Sequence, residues 1–121
     1  MESDLADYLE YLCSENKDIS NIIVVSNEGL PIAITGGSDQ TLVSGMCTAL
    51  KCIGKELVSE TMNNELKSIL LDCSNGVILI QPLNQKAILV ASGNNAGLLT
   101  DFDVSSIKRY FSAHQNHLVA I

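Results

Sequence analysis

The chain has 121 residues, enough for one domain with a single hydrophobic core. Hydrophobic residues make up 46% of it, but aromatic residues only 4%, so the core must be aliphatic. The formal net charge is −7, from 14 acidic against 7 basic residues, so the chain lacks the basic patch that nucleic-acid binding requires. The composition therefore argues against nucleic acid and anionic lipid as ligands, and it permits a basic protein partner.

The N-terminal residues Met1-Glu2-Ser3-Asp4 are acidic and lack the basic and apolar regions of a signal peptide. No window of the chain approaches the ~20 consecutive apolar residues that a membrane-spanning helix needs. We therefore expect a cytoplasmic protein that forms a single domain over residues 1–121 and has no membrane span.

Four cysteines are present, Cys13, Cys47, Cys52 and Cys73, and no pair has CxxC or zinc-type spacing. In a cytosolic protein such residues are usually small, buried apolar side chains. The cysteines therefore indicate neither a metal site nor a disulfide, and we expect them to be buried.

The first half of the chain predicts a helix followed by a β-hairpin. Residues 4–15 place apolar side chains at helical spacing, and residues 21–26 form a β-branched run that is apolar on both faces, as in a central strand. A second strand follows at 31–35, and the proline at its start suits an edge position. Asn27-Glu28-Gly29 between the strands predicts a tight turn in which the glycine is free to adopt positive φ.

A long amphipathic helix is predicted from about residue 39 to residue 61, after a loop that ends in capping residues. Its apolar stripe consists of Leu42, Val43, Met46, Ala49, Leu50, Ile53 and Leu57. The opposite, polar face carries Thr41, Ser44, Thr48, Lys51, Lys55 and Ser59. Small residues that include Gly45, Ala49 and Cys52 flank the stripe, and they would let a neighbouring helix approach closely; the alternative is that they fit against the protomer's own sheet.

The second half predicts three strands in a meander, at 65–73, 77–82 and 86–92, and a final helix that Asp103 caps. Asn75-Gly76 is a strong hairpin signal between the first two strands. The first strand is the most polar, as an edge strand would be. The order is therefore α-β-β-α-β-β-β-α, and helices on both faces of the sheet explain strands that are apolar on both sides.

Taken together, these segments resemble the roadblock / dynein light chain family over nearly the whole chain, from about Leu5 to Phe111. The resemblance rests on the long second helix and on four segments: Ile22–Ser26, Glu28-Gly29-Leu30-Pro31-Ile32-Ala33, Gln81-Pro82-Leu83 and Asn95-Ala96-Gly97-Leu98-Leu99. It implies a profilin-like α/β sandwich of the α+β class with a five-stranded antiparallel sheet. The long helix is expected on one face of the sheet and the terminal helices on the other.

The resemblance also implies a homodimer in which the first strand of the meander pairs with its mate and the two long helices lie side by side. Family members regulate or scaffold Ras-like small GTPases, or act as cargo-adaptor subunits of dynein. The implied partner is therefore a small Ras-like GTPase or a related roadblock protein. The expected dimer interface consists of Gly45, Ala49, Cys52, Glu65, Lys67, Ile69 and Leu71.

The motifs that suggest metal or phosphate chemistry are incomplete. His114 and His117 have a spacing that places two ligands on one helix face, but no cysteine or carboxylate lies close in sequence to complete a set. Gly36-Gly37-Ser38-Asp39 precedes a helix but lacks the P-loop lysine, and its aspartate would repel an anion.

Asp101 and Asp103 lack the further oxygen ligands of a calcium loop, and Asp103 is explained as a helix cap. Arg109, the only arginine, is expected at the surface of a terminal helix, opposite the face that carries the long helix. No catalytic constellation remains, so we expect a protein without enzyme activity, cofactor or metal.

The leading hypothesis is a dimeric regulator or scaffold that presents its long-helix face to a Ras-like small GTPase. The expected partner-binding residues are Thr41, Ser44, Thr48, Lys51, Lys55 and Ser59; the alternative is that this strip is a solvated face. A second hypothesis is a structural adaptor of the dynein light chain type, whose binding is independent of nucleotide state. A third, a small-ligand sensor or enzyme, needs an enclosed polar pocket that the apolar strands scarcely offer.

Overall fold

A computed structural model of the chain describes residues 2–36, 39–94, 107 and 109. The predicted element order holds from the first helix to the fifth strand, and the last predicted helix lies largely outside the described residues. The elements are α1 (Glu2–Glu15), β1 (Ile19–Ser26), β2 (Pro31–Ile34), α2 (Thr41–Met62), β3 (Ile69–Cys73), β4 (Gly76–Pro82) and β5 (Ala87–Gly93).

The five strands form one antiparallel sheet in the order β2-β1-β5-β4-β3. β1 is central, because Ile23 lies opposite Ile34 of β2 on one side and Val90 of β5 on the other. β2, which begins with Pro31, is one edge of the sheet, as its proline predicted. β3 is the other edge, so the five-stranded antiparallel arrangement is confirmed.

Alternate side chains of the central strands enter two separate cores, one on each face of the sheet. On one face, Leu5 and Leu9 of α1 and Ile107 are buried in the same cluster as Val24 of β1. On the other face, Cys47 of α2 joins a cluster from β1, β4 and β5 that consists of Ile23, Val25, Ile80, Ile88 and Val90. α1 and Ile107 therefore lie opposite α2, in agreement with the predicted layer order.

β3 is shorter than the sequence pattern predicted: it begins at Ile69, and the expected start at Glu65 is wrong. The preceding helix ends in Asn63, which adopts the left-handed conformation (φ 49°, ψ 51°) and donates its N–H to the Ser59 carbonyl. The side-chain oxygen of Asn64 then accepts the N–H of Glu65 at 2.8 Å. Asparagine tolerates left-handed backbone and competes for local hydrogen bonds, so this pair turns the chain before the strand can start.

The turn between β1 and β2 depends on Gly29, whose φ is +84°. Its N–H donates to the Ser26 carbonyl at 3.0 Å and closes the turn. A Cβ added at Gly29 would lie 3.4 Å from the Gly45 Cα and 3.7 Å from the Thr48 hydroxyl, both in α2. These are ordinary contact distances, so the glycine is required for its backbone conformation and not for space.

The carboxylate of Asp39 precedes α2 and accepts two hydrogen bonds from Thr41, one from the backbone N–H at 2.9 Å and one from the hydroxyl at 2.7 Å. The backbone N–H belongs to the first turn of the helix, which has no carbonyl partner within the helix. Both bonds favour the charged carboxylate and lower the pKa of Asp39, the backbone bond contributing most.

We predict that Gly29→Ala lowers the free energy of unfolding by about 1–2 kcal/mol, because alanine pays a steric cost in left-handed backbone. Urea unfolding followed by circular dichroism measures the change. Glu28→Ala, a substitution of the exposed neighbouring residue, is the matched control and should leave stability within about 0.5 kcal/mol. Equal stability of the two variants would contradict a need for positive φ at Gly29.

Asp39→Ala should lower the melting temperature at pH 7 and have little effect in strong acid. The folded-state pKa of Asp39 is lowered, so its contribution is present above the unfolded-state pKa of about 3.9 and is lost as the pH falls through the folded-state value. Calorimetry of both proteins between pH 7 and pH 2 tests this. A difference in melting temperature that stays constant over that range would show that the ionised carboxylate has no part in it.

Candidate protein-interaction surfaces

α2 rests on the sheet through its small and polar side, and its two buried residues are Ser44 and Cys47. Lys51 and Gly54 on the same side are half-buried. A Cβ added at Gly54 would lie 3.2 Å from the Leu66 side chain, so the absence of a side chain at Gly54 makes room for the segment that leads to β3. The residues that the helix turns inward are therefore mostly small or polar.

This orientation corrects the prediction that the whole polar strip of α2 is exposed to a partner. Ser44 is 0% exposed, and its Oγ has no hydrogen-bond partner among the described residues. Thr48 is half-buried and donates its hydroxyl to the Ser44 carbonyl at 3.0 Å. Lys51 is half-buried as well, whereas Thr41, Lys55 and Ser59 are exposed. An exposed role for Ser44 is therefore wrong, and the accessible part of the strip lies mainly at its two ends.

The apolar stripe of α2 faces away from the sheet. Leu42 is 77% exposed, Met46 57%, Ile53 65% and Leu57 60%. These residues recur at intervals of four and seven and so form one continuous stripe along the helix. We call these four side chains the outer stripe. Large apolar side chains that are contiguous on a surface mark sites of protein association more often than isolated ones do.

The residues predicted for a dimer interface occupy two neighbouring parts of the molecule. Gly45, Ala49 and Cys52 are exposed on α2, and a Cβ added at Gly45 would meet no atom within 4 Å. Ile69 and Leu71 are half-buried in β3, the edge strand that pairs with β4 alone among the described residues. Glu65 and Lys67 are exposed in the connection before β3 and not in the strand itself.

Two clefts border α2. An apolar groove of about 280 Å³ lies between α2 and the β3 side of the sheet and includes Val43, Met46 and Leu50. A second cleft, of about 360 Å³, lies at the C-terminal half of the helix, and we call it the lysine cleft. It is lined by Lys51, Lys55, Ser59, Asn64, Glu65, Leu66 and Pro82.

The Lys51 ammonium is held at one end of the lysine cleft by the β1–β2 turn. It donates to the Asn27 side-chain oxygen at 3.3 Å. Asn27 is itself fixed to the β4–β5 turn, because its backbone N–H donates to the Lys86 carbonyl at 3.1 Å and its side-chain amide donates to the Gln85 carbonyl. Two hairpin turns therefore position this lysine.

The four cysteine thiols are free. Burial raises the pKa of the Cys13 and Cys47 thiols, which keeps them protonated and poorly nucleophilic at neutral pH. The expectation of buried thiols is correct for Cys47 and wrong for Cys52 and Cys73, which are exposed. Cys52 lies on the outward side of α2, and Cys73 lies at the end of the edge strand.

Among the described residues, no group of three or more metal-ligating side chains comes together. Arg109 is exposed, as predicted, while His114, His117, Asp101 and Asp103 lie outside the described residues. None of the helices in the described part of the chain has the length and apolarity needed to cross a bilayer.

Solved structures with the same fold come from bacteria and from a eukaryote. A Roadblock/LC7 domain from Streptomyces avermitilis superposes with a TM-score of 0.81 at 7% identity, covering 91% of this chain and 96% of that one. MglB of Myxococcus xanthus gives 0.71 at 13% identity, covering 98% and 90%. Profilin IA of Acanthamoeba castellanii gives 0.63 at 11% identity, covering 91% and 98%. At these identities the likeness establishes the fold, including its profilin-like character.

Comparison with the curated proteins gave no match. A family model described as the Roadblock/LC7 domain matches residues 10–92, which is more than half of the chain. The match spans the sequence from the second half of α1 into β5 and includes both surfaces described above. This chain therefore belongs to the Roadblock/LC7 family.

Proposed function

We propose that the protein is a non-enzymatic, dimeric regulator or scaffold that binds a Ras-like small GTPase. The main support for the proposal is that the outer stripe of α2 is exposed to solvent in a single protomer. Family membership supports it, because roadblock proteins are regulator and adaptor domains. The proposal has two steps. A second copy of the chain covers the outer stripe, and the resulting dimer presents the rest of the α2 surface to the GTPase.

Dimerisation is favoured by the amount of apolar surface that it would remove from water. Full burial of a leucine, isoleucine or methionine side chain stabilises a complex by about 1.5–3 kcal/mol, and each copy offers the four of the outer stripe. Gly45 and Ala49 lie along one side of these large side chains and give a facing helix room to approach. The pair of α2 helices is therefore proposed as the centre of the interface.

β3 supplies the second part of the proposed interface. Its outer edge has no strand beside it among the described residues, and Leu70 is 44% exposed there. An exposed edge presents unpaired backbone groups that favour strand pairing with another chain. Pairing of β3 with its mate would join two five-stranded sheets around one twofold axis. Ile69 and Leu71 would then lie at the centre of the joined sheet.

For the GTPase we propose Thr41, Thr48, Lys51, Lys55 and Ser59 as contact residues, without the buried Ser44. We infer that stimulated hydrolysis, where it occurs, results from ordering of the GTPase's own catalytic residues. Arg109 is a poor candidate for insertion into a GTPase bound on α2, because the neighbouring helical position Ile107 is buried in the core on the opposite face of the sheet.

We predict that Ile53→Glu converts the dimer to a monomer, because a charge replaces an apolar side chain at the centre of the outer stripe. Sedimentation equilibrium or light scattering at about 10 µM protein measures the mass. Since Ile53 is 65% exposed in one protomer, the variant should retain its circular dichroism spectrum. Lys17→Glu, a charge reversal in the α1–β1 connection, is the control and should remain dimeric. A monomeric mass for the unmodified protein would refute the proposed interface.

A pull-down from native lysate, run in parallel with GTP and GDP analogues, should enrich a Ras-like GTPase in one nucleotide state. Purified GTPase and titration calorimetry then give the ratio of the two affinities, for which we expect at least about tenfold (about 1.4 kcal/mol). The same titration with the monomeric Ile53→Glu variant shows whether GTPase binding requires the dimer. Capture of non-GTPase proteins alone, equal in both nucleotides, would favour a structural adaptor and contradict GTPase regulation.

A further inference from the structure

The lysine cleft differs in charge from the chain that surrounds it. The whole chain carries −7, yet two of its seven basic residues line this cleft together with one acidic residue, Glu65. Neither Lys51 nor Lys55 forms an ion pair with any described residue. Within the described part of the chain, the partner of Lys51 is the neutral side-chain oxygen of Asn27. Two ammonium groups therefore line the cleft beside a single carboxylate, and neither of them is paired with it.

The composition of the cleft selects the kind of anion. Two lysines and one glutamate leave a formal charge of +1, which matches a carboxylate better than a doubly charged phosphate. Leu66 and Pro82 provide apolar wall, and the lysine stems add to it, so the cleft can also hold methylene groups. A glutamate side chain combines these two properties.

Hydrogen-bond donors complete the site. Asn64 uses its side-chain oxygen to accept the Glu65 N–H, which leaves its amide N–H groups available to an acceptor. The Ser59 hydroxyl lines the same cleft. The hydrogen bond to Asn27 at 3.3 Å already orients Lys51, which reduces the side-chain freedom that is lost when a ligand binds.

We propose that the lysine cleft is a docking site for a glutamate side chain of the partner protein, with Lys51 and Lys55 as its cationic groups. The identity of that partner rests on the proposed function, and the site itself does not. Such a contact gives the complex a charge-specific anchor beside the apolar interface between the two copies.

A minimal probe tests the site directly. Protein with ¹³C-labelled lysine is titrated with N-acetyl-glutamate methylamide, and the Cε–Hε resonances are followed by NMR. The Lys51 and Lys55 signals should shift and saturate, with a dissociation constant on the order of 1–10 mM, as befits so small a ligand. Lys17 should show no saturation, because it lies roughly 25 Å away, at the far end of the eight-residue strand β1.

Two comparisons decide the outcome. N-acetyl-glutamine methylamide, the neutral analogue, should cause no saturable shift, and Lys55→Met should abolish saturation by the glutamate probe. Equal shifts at all lysines, or equal binding of the neutral analogue, would overturn the proposal. So would inorganic phosphate that binds ten times more tightly than the glutamate probe, because the site would then favour phosphate groups.

The double charge-reversal variant Lys51→Glu with Lys55→Glu tests whether the lysine cleft contributes to GTPase binding. It should weaken the nucleotide-dependent complex at least tenfold while the dimer mass is unchanged, with Lys17→Glu as the control. A saturable glutamate titration supports the cleft even where no GTPase is captured. A GTPase complex that tolerates the double reversal overturns both the cleft and the assignment of Lys51 and Lys55 as GTPase contacts, whereas nucleotide-dependent binding of the GTPase would still support the regulator proposal.

Discussion

The structure depends on the way α2 rests on the sheet, with its small and polar side inward and its large apolar side outward. Ser44 is fully buried over the strands, whereas Leu42, two positions earlier, is 77% exposed. An unpaired buried hydroxyl such as that of Ser44 costs about 1–3 kcal/mol, and an exposed leucine forgoes the gain from its burial. A cover over the outer stripe would recover the gain for Leu42 and leave Ser44 unchanged, so the proposed dimer accounts for the outward side of the helix and not for the inward one.

Periodicity identified this helix and its stripe but could not give the direction of the stripe. A hydrophobic stripe predicts that one side of a helix packs against other residues. It does not show whether those residues belong to the same chain or to another. The residues that indicate which side of α2 faces the sheet are Ser44, Thr48 and Gly54, because their side chains are small enough to fit between a helix and a sheet. They look polar in a sequence, although their small volume is what places them inward.

Local chemistry made the rest of the sheet predictable. The β1–β2 turn follows from Gly29, the edge position of β2 from Pro31, and the burial of β1 on both faces from its continuous β-branched run. The start of β3 was missed because hydrophobic alternation weakens at an edge strand, and the two asparagines after α2 determine where the chain can turn. The lysine cleft was missed for another reason: Lys51 and Lys55 meet Leu66 and Pro82 only through tertiary contact.

One helix therefore positions two surfaces of different character. At about 100° of rotation per residue, Lys51 and Lys55 lie toward the inward side of α2, roughly 120–160° around the helix from Ile53 and Leu57 on its outward side. Gly54 lies between these sets in the sequence and lets Leu66, a wall of the lysine cleft, pack 3.2 Å from where a Cβ would be. Any force that holds α2 in place, including its proposed pairing with a second copy, also holds the cleft in shape. An apolar interface and a charged docking site can thus act together without sharing a residue.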